Sequence, residues 1–236
     1  SFSQFNEDIL VWQYFGQRKS GFFIEVGANA PFTFSQTWLL EKNGWRGILA
    51  EPLPWRCDEL RRNRPGSRVF QVAVGAPDRR GTITLNIPED DMFAALTPSK
   101  KGPVPVRSET VTLTTLDDIL AESGNPGVDY VSIDVEGMEI DVLRGFDLAR
   151  HKPALLLVED HLKSRNVYCY LKERGYQLVK RTGCNHWFVP DGAEFGLSTF
   201  WERLYLLKKV NLNVPFNANR RRLVNFLKSL GGAEPS

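Results

Sequence analysis

The chain has 236 residues, 42% hydrophobic and 25% charged. That is enough for one α/β domain with a large core, and it excludes a disordered chain, a collagen-like repeat and a disulfide-dense mini-domain. Formal net charge is only +2, yet it is unevenly divided, with 23 basic and 26 acidic residues up to position 201 and 7 against 2 from there to the end.

Apolar periodicity predicts a first helix over 4–15, with Phe5, Ile9, Leu10, Trp12 and Phe15 at helical spacing behind Ser3 as N-cap. Gly21 leads into a short buried strand at 22–26. A helix over 35–42 stops at Asn43-Gly44, and a second strand at 47–51 is closed by Pro52. Helix 55–63 and a third strand, 68–74, follow. Segments 81–87 and 110–113 read as further strands with polar alternation, and 115–122 as a helix capped by Thr114 or Thr115. A fourth core strand at 129–134 precedes helix 137–144, and a fifth at 154–158 runs into Glu159-Asp160-His161. Helix 167–174 and a hairpin of 176–180 with 186–189 around Gly183 close the domain. Strands alternating with helices predict an α/β fold, a mostly parallel sheet covered on both faces.

Two segments stand outside this alternation. Residues 88–108, rich in Pro, Lys and Asp, have no periodic pattern and read as a lid or acceptor-binding loop. Residues 191–236 read as a basic amphipathic extension of a 1–190 domain. There Lys208, Lys209 and Arg220-Arg221-Arg222 lie among Leu204, Tyr205, Leu206, Leu207, Leu223, Phe226 and Leu227. Such a segment suits peripheral contact with an anionic membrane, a docking surface, or a solvated helix over the core.

The longest purely apolar run, 154–158, is far below the roughly 20 residues of a membrane span. Ser1 stands where an initiator Met would, so a trimmed start is expected, and no signal-peptide pattern follows it. Cys57, Cys169 and Cys184 form neither a disulfide framework nor a zinc motif. A cytoplasmic location, with membrane association through the tail, is the expectation.

Ligands of open α/β sheets bind beyond the carboxyl ends of the strands. Those ends carry Glu25-Val26-Gly27-Ala28-Asn29, Glu51, Ala73, Asp134-Val135-Glu136-Gly137 and Glu159-Asp160-His161, which predicts one face lined with carboxylates. Gly27 would let a ligand approach the backbone, and Glu51, at the end of the next strand, could accept hydrogen bonds from ribose hydroxyls. Neither a complete G-x-G-x-x-G nor a phosphate-binding Lys loop is present. A sulfonium cofactor without phosphate, S-adenosylmethionine, therefore suits this acidic rim better than a dinucleotide. An NAD-type dehydrogenase remains the alternative enzyme, and a non-catalytic S-adenosylmethionine-binding module the alternative of another kind. The Asn/Asp-Pro-Pro-aromatic and Pro-Cys motifs of nucleic-acid methylation are missing, so no nucleic-acid partner is expected.

Several blocks together resemble the FkbM family of S-adenosylmethionine-dependent methyltransferases. They are Ser3-Gln4 with Glu7-Asp8, the stretch Phe23 to Asn29, Leu39-Leu40-Glu41-Lys42-Asn43-Gly44-Trp45, Ala50-Glu51-Pro52, Thr115-Leu116-Asp117 and Ile133-Asp134-Val135-Glu136-Gly137-Met138-Glu139. The similarity spans about residues 3–190, though Ala30-Pro31 stands where Asp-Gly usually follows such an asparagine. The resemblance implies a class I (Rossmann-like) methyltransferase fold with a seven-stranded sheet and a C-terminal antiparallel hairpin. It also implies O-methylation of hydroxyls on sugars, glycolipids or other small natural products. Carried over, Glu25, Gly27 and Asn29 would approach the methionine end of the cofactor, with Asp134 beside them. Glu51 would hold the ribose, and Val72-Ala73 would meet the adenine edge.

Methyl transfer to a hydroxyl needs a group to take the proton. His161 is the first candidate, and Asp134 or Glu136 would serve if burial raised its pKa. Asp134, Glu159 and Asp160 also resemble the carboxylate set of metal-dependent O-methyltransferases, which would suit Mg²⁺. Phe93, Trp187, Phe195 and Trp201 could stack on a sugar, although a core role suffices for each.

Overall fold

A computed structural model describes residues 1–89, 91, 104–161 and 164–213. In chain order the elements are α1 (Glu7–Tyr14), β1 (Phe22–Val26), α2 (Trp38–Lys42), β2 (Arg46–Ala50), α3 (Pro54–Asn63), β3 (Ser67–Phe70), β4 (Ala73–Val74), β5 (Gly81–Pro88) and β6 (Pro105–Thr114). Then come α4 (Leu116–Glu122), β7 (Tyr130–Ile133), α5 (Glu139–Arg144), α6 (Leu148–His151), β8 (Leu155–Glu159), α7 (Asn166–Lys172), β9 (Tyr176–Thr182), β10 (Asn185–Pro190) and α8 (Phe200–Lys208).

Seven strands form one sheet in the order β3-β2-β1-β7-β8-β10-β9. The run from β3 to β8 is parallel, and β10 is antiparallel to both β8 and β9. Because successive side chains leave a strand on opposite faces, Ile24, Val26, Leu156 and Val158 enter one apolar layer. Phe23, Leu155 and Leu157 enter the other. Both faces are thus buried, which is why these strands read as continuous apolar runs. The predicted hairpin is present and longer than expected at both ends.

The predicted third strand is two strands. Glu51 donates its N–H to the Phe70 carbonyl (3.0 Å) where β3 ends. The chain then crosses Gln71-Val72, and β4 pairs with β6 in a separate sheet ordered β4-β6-β5. Leu53, Ala73, Leu85, Ile87, Val111 and Leu113 form a small core beneath it. Residues 81–88 and 105–114 therefore pair as an antiparallel ribbon, which shortens the patternless segment expected at 88–108. Phe93 lies outside the described residues.

The first helix starts later than the periodicity predicts. Asn6 is its N-cap, in a left-handed conformation. Ser3 still receives the Asp8 N–H (3.1 Å) and donates to the Asp8 carboxylate (2.8 Å). Thr115 caps α4 with Asp118 in a reciprocal capping box. At the other end of the chain, Leu206 and Val210 of α8 and its following turn join the main core. The extension is thus packed against the domain as far as it is described, and the Arg220-Arg221-Arg222 run lies outside the described residues.

Candidate functional site

Strand order reverses between β1 and β7, and the carboxyl ends there open into a cavity of about 350 Å³, within the range of small-molecule sites. Its wall contains nearly every strand-end residue singled out above: Glu25, Gly27, Asn29, Glu51, Val72, Ala73, Asp134, Glu136, Glu159 and His161. Gly137 and Asp160 are the exceptions.

Gly27 has φ +81°, and a Cβ there would lie 1.8 Å from the Asp134 carbonyl oxygen. The closeness of the β1 and β7 ends thus demands glycine here by itself, beside the expected approach of a ligand to this backbone. The two strand ends are thereby locked together where both border the cavity.

Glu51 is buried, 4% exposed. Its Oε2 accepts the Asn29 N–H (2.9 Å) and its Oε1 the Leu53 N–H (2.9 Å). Asn29, at φ +46°, is an asparagine in the left-handed region, which its side chain tolerates better than most. Burial outweighs the two N–H donors and pushes the Glu51 carboxyl up to about 7.

Glu25 is turned toward its own wall. Its carboxylate accepts the Gln36 N–H (2.7 Å), the Ser35 hydroxyl (3.2 Å) and the Thr37 hydroxyl, with Arg64 3.8 Å away. Burial raises its pKa against the opposing charge of Arg64. The expected approach to a methionine end is therefore modified, since both oxygens are already engaged in holding the 35–37 turn. Arg64, fully buried, binds Glu41 (2.7 Å), Thr37 (2.8 Å) and the Pro31 carbonyl (3.1 Å). Beside this network Gln36 lines the cavity with a buried Oε1 that has no hydrogen-bond partner among the described residues. A buried amide oxygen left unpaired costs free energy unless a ligand donates to it.

At the β7–β8 end, carboxylate oxygens of Asp134, Glu136 and Glu159 lie within 4.8 Å of one another. Solvent reaches Asp134 and Glu136 through the cavity, while Glu159 is buried. Burial first, and then repulsion from Glu159 and Glu139 on Asp134 and from Glu136 and Glu139 on Glu159, raise the pKa values of Asp134 and Glu159 well above the carboxylate range. His161 Nε2 is 3.2 Å from Glu159 Oε1, and its side chain is 53% exposed.

Asp160 corrects the expected metal set. Consecutive residues of an extended chain point to opposite sides, so when Glu159 faces the cavity Asp160 cannot. Its carboxylate instead lies 3.6 Å from His186 Nδ1, and Glu136 takes the third place in the cluster. His186 is buried away from the cavity. His151 bonds Asp117 (3.0 Å) and stacks on Phe146. Trp187 and Phe195 are core residues, whereas Trp201 is 73% exposed.

Some cavity residues had no sequence signal. Gln36, Cys184 and Asn185 line it from loops and the hairpin. Asp91 lines it too, held by the Trp55 ring N–H (2.6 Å) and the Arg56 guanidinium (2.5 and 3.2 Å). These partners outweigh burial and keep Asp91 below the usual carboxylate range.

A search of curated proteins finds no sequence match to this chain. Among solved structures, 29 chains match. The METTL16 methyltransferase domain is 13% identical with TM-score 0.47, covering 80% of this chain and 67% of that one. A methyltransferase from Geobacter sulfurreducens is 11% identical with TM-score 0.40, covering 80% of each chain. A TehB-like SAM-dependent methyltransferase from Corynebacterium glutamicum is 12% identical with TM-score 0.40, covering 79% and 88%. The strand order β3-β2-β1-β7-β8-β10-β9 with antiparallel β10 is the arrangement expected above of a class I methyltransferase fold. Residues 25–178 match the methyltransferase FkbM domain, well over half of the chain, and the protein belongs to that family of S-adenosylmethionine-dependent methyltransferases.

Proposed function

We propose that the chain transfers a methyl group from S-adenosylmethionine to a hydroxyl of a sugar, a glycolipid or another small natural product. The observation that carries this reading is the arrangement of the cavity along the sheet edge. Glu51, directly after β2, stands at one end, and the cluster of His161, Glu159, Asp134 and Glu136 at the other. With neighbouring strands about 4.8 Å apart, the three steps from β2 to β8 span about 14 Å. That is room for a nucleoside and an acceptor side by side.

The residues present fit the cofactor. Glu51 is a buried carboxylate with its position set by two backbone donors, and Gln36 leaves an orphaned acceptor in the wall. When bound, the cofactor supplies a sulfonium methyl already activated for displacement. Glu51 accepts the ribose hydroxyls, and Val72-Ala73 flanks the adenine. Glu25, Gly27 and Asn29 form the wall of the methionine end with Gln36, and Asp134 borders it from β7.

His161 receives the acceptor's hydroxyl proton. Its Nε2 faces Glu159, which orients the ring and leaves Nδ1 for the proton. The imidazolium that forms is met by the Glu159 carboxyl 3.2 Å away, whose ionised form the new positive charge favours. Such a general base contributes about 10²–10⁴-fold, and alignment of oxygen with methyl contributes several kcal/mol more, up to about 7–11.

The test is methyl transfer to a panel of hydroxylated sugars and glycolipids, with amine and RNA acceptors alongside and the product bond assigned by NMR. An O-methyl product supports the reading. An N- or C-methyl product overturns it, and cofactor binding without transfer to any acceptor favours a non-catalytic module. The closeness of the three carboxylates favours one second reading, in which Asp134, Glu136 and Glu159 hold Mg²⁺ against the acceptor oxygen. Full activity in excess EDTA is the outcome expected with His161 as base, and loss restored by Mg²⁺ would favour the cation.

A further inference from the structure

Helix α8 is apolar on the side that faces the core and apolar again on the side that faces solvent. Leu206 and the following Val210 are buried at 4% and 0% exposure. Phe200, Trp201, Leu204, Tyr205 and Leu207 are exposed at between 42% and 73%. At 100° per residue these five, with the exposed Lys208 among them, cover roughly half of the helix circumference. A soluble surface rarely presents so many large apolar side chains together without something to cover them. Tryptophan and tyrosine beside lysine are the side chains that settle at a lipid–water boundary.

Next to this face lies a second cavity of about 160 Å³, between α8 and the β9–β10 hairpin. Lys180, Arg181 and Lys209 line it, together with Glu202. Glu202 is paired with Lys180 at 3.6 Å. Arg181 and Lys209 have no carboxylate partner among the described residues, and the Arg181 Nε is buried without a hydrogen-bond acceptor. Each cation raises the cost of the other, and burial together with the Arg181 charge holds Lys209 below the ordinary lysine range. Two unneutralised cations around a small concavity form a receptor for an anion of phosphate size.

We propose that α8 seats this protein on an anionic bilayer surface, its exposed apolar face entering the headgroup boundary and a lipid phosphate occupying the pocket of Lys180, Arg181 and Lys209. Charge complementarity selects this occupant, because the apolar face is bordered by Lys208, Lys209 and Arg203 with Glu202 as its single acid. No helix among the described residues is long and apolar enough to cross a membrane, so the contact is peripheral. The basic pocket and the methyltransferase cavity meet at the β9–β10 turn. Gly183 lines the basic pocket, and the next two residues, Cys184 and Asn185, line the large cavity. A protein seated this way holds its cavity beside the lipid surface, where an acceptor carried on a lipid would be found. The docking itself does not rest on which atom is methylated.

The experiment is co-sedimentation of the full chain with phosphatidylcholine vesicles, with and without phosphatidylglycerol. The expected result is partitioning onto the anionic vesicles alone, weakened by salt. Lys209→Glu should reduce it about fivefold or more, and W201E should reduce it further, while thermal melts of both variants match the wild type. Retained binding in W201E, or equal binding to neutral vesicles, overturns the proposal. So does sn-glycerol 3-phosphate binding the pocket while anionic vesicles do not, which would make the site a receptor for soluble phosphates. A dimer in sedimentation analysis that W201E splits into monomers would assign the face to a second copy and likewise overturn it.

Discussion

Replacing Glu51 with Gln changes how stability depends on pH, by an amount the structure allows to be worked out. Burial pushes this carboxyl from 4.5 up to about 7 in the folded apoprotein. Between those values the folded chain keeps a proton that the unfolded chain has released, so stability falls as pH rises through the window. The group's stabilising contribution is full below 4.5 and is lost above about 7. That displacement corresponds to about 3 kcal/mol, most of it lost between about pH 5 and about pH 8.

Glu51→Gln cannot ionise, so its contribution is flat. The amide also turns an NH₂ toward one of the two N–H donors at Asn29 and Leu53, which costs about 1–3 kcal/mol at every pH. Wild-type and variant curves therefore differ in slope as well as height. Urea unfolding at a series of pH values measures both. Asp134 and Glu159 titrate in the same direction, but they are present in both proteins and cancel in the difference. Parallel curves would refute the reasoning by showing that Glu51 ionises freely in the folded apoprotein.

The remaining predictions bear on separate parts of the site. Glu51→Ala should weaken S-adenosylhomocysteine binding about tenfold or more in calorimetry, because charge-assisted hydrogen bonds contribute about 1.5–3 kcal/mol. His161→Ala should lower kcat about 10²–10⁴-fold with cofactor affinity unchanged, and a loss of affinity equal to the loss of rate would contradict its role as base. Arg64→Ala leaves Glu25 and Glu41 without their buried guanidinium and should cost about 3–5 kcal/mol in urea unfolding, with Lys no substitute because it cannot fork among Glu41, Thr37 and Pro31. Gly27→Ala should separate the β1 and β7 ends or fail to fold, since its Cβ would sit 1.8 Å from the Asp134 carbonyl; a wild-type melting profile would count against that close contact.

The strand-end acids were legible because parallel strands buried on both faces read as apolar runs, and whatever ends the run lies at the carboxyl edge. Glu51, Asp134 and Glu159 are all placed this way, and the cavity collects them. Adjacency in sequence suggests that Asp160 shares the cavity with Glu159, whereas strand alternation sends it to His186. The break after Phe70 left no trace because Val72-Ala73-Val74 is as apolar as a continuing strand, and only the separate pairing of β4 with β6 divides it. Arg64 and Asp91 were invisible for a different reason. Their partners Glu41 and Arg56 are 23 and 35 residues away, and no local pattern distinguishes a buried arginine from a solvated one. The tail's basic character was plain, but its two apolar faces needed the packing of Leu206 and Val210 to be told apart.

Calorimetric titration of the purified protein with S-adenosylhomocysteine, with NAD⁺ run in parallel, tests the central claim most directly. Micromolar binding of the nucleoside thioether, weakened in Glu51→Ala, with no heat from NAD⁺, is the result expected of a methyltransferase cavity with Glu51 at its ribose end. Binding of NAD⁺ without S-adenosylhomocysteine would contradict it.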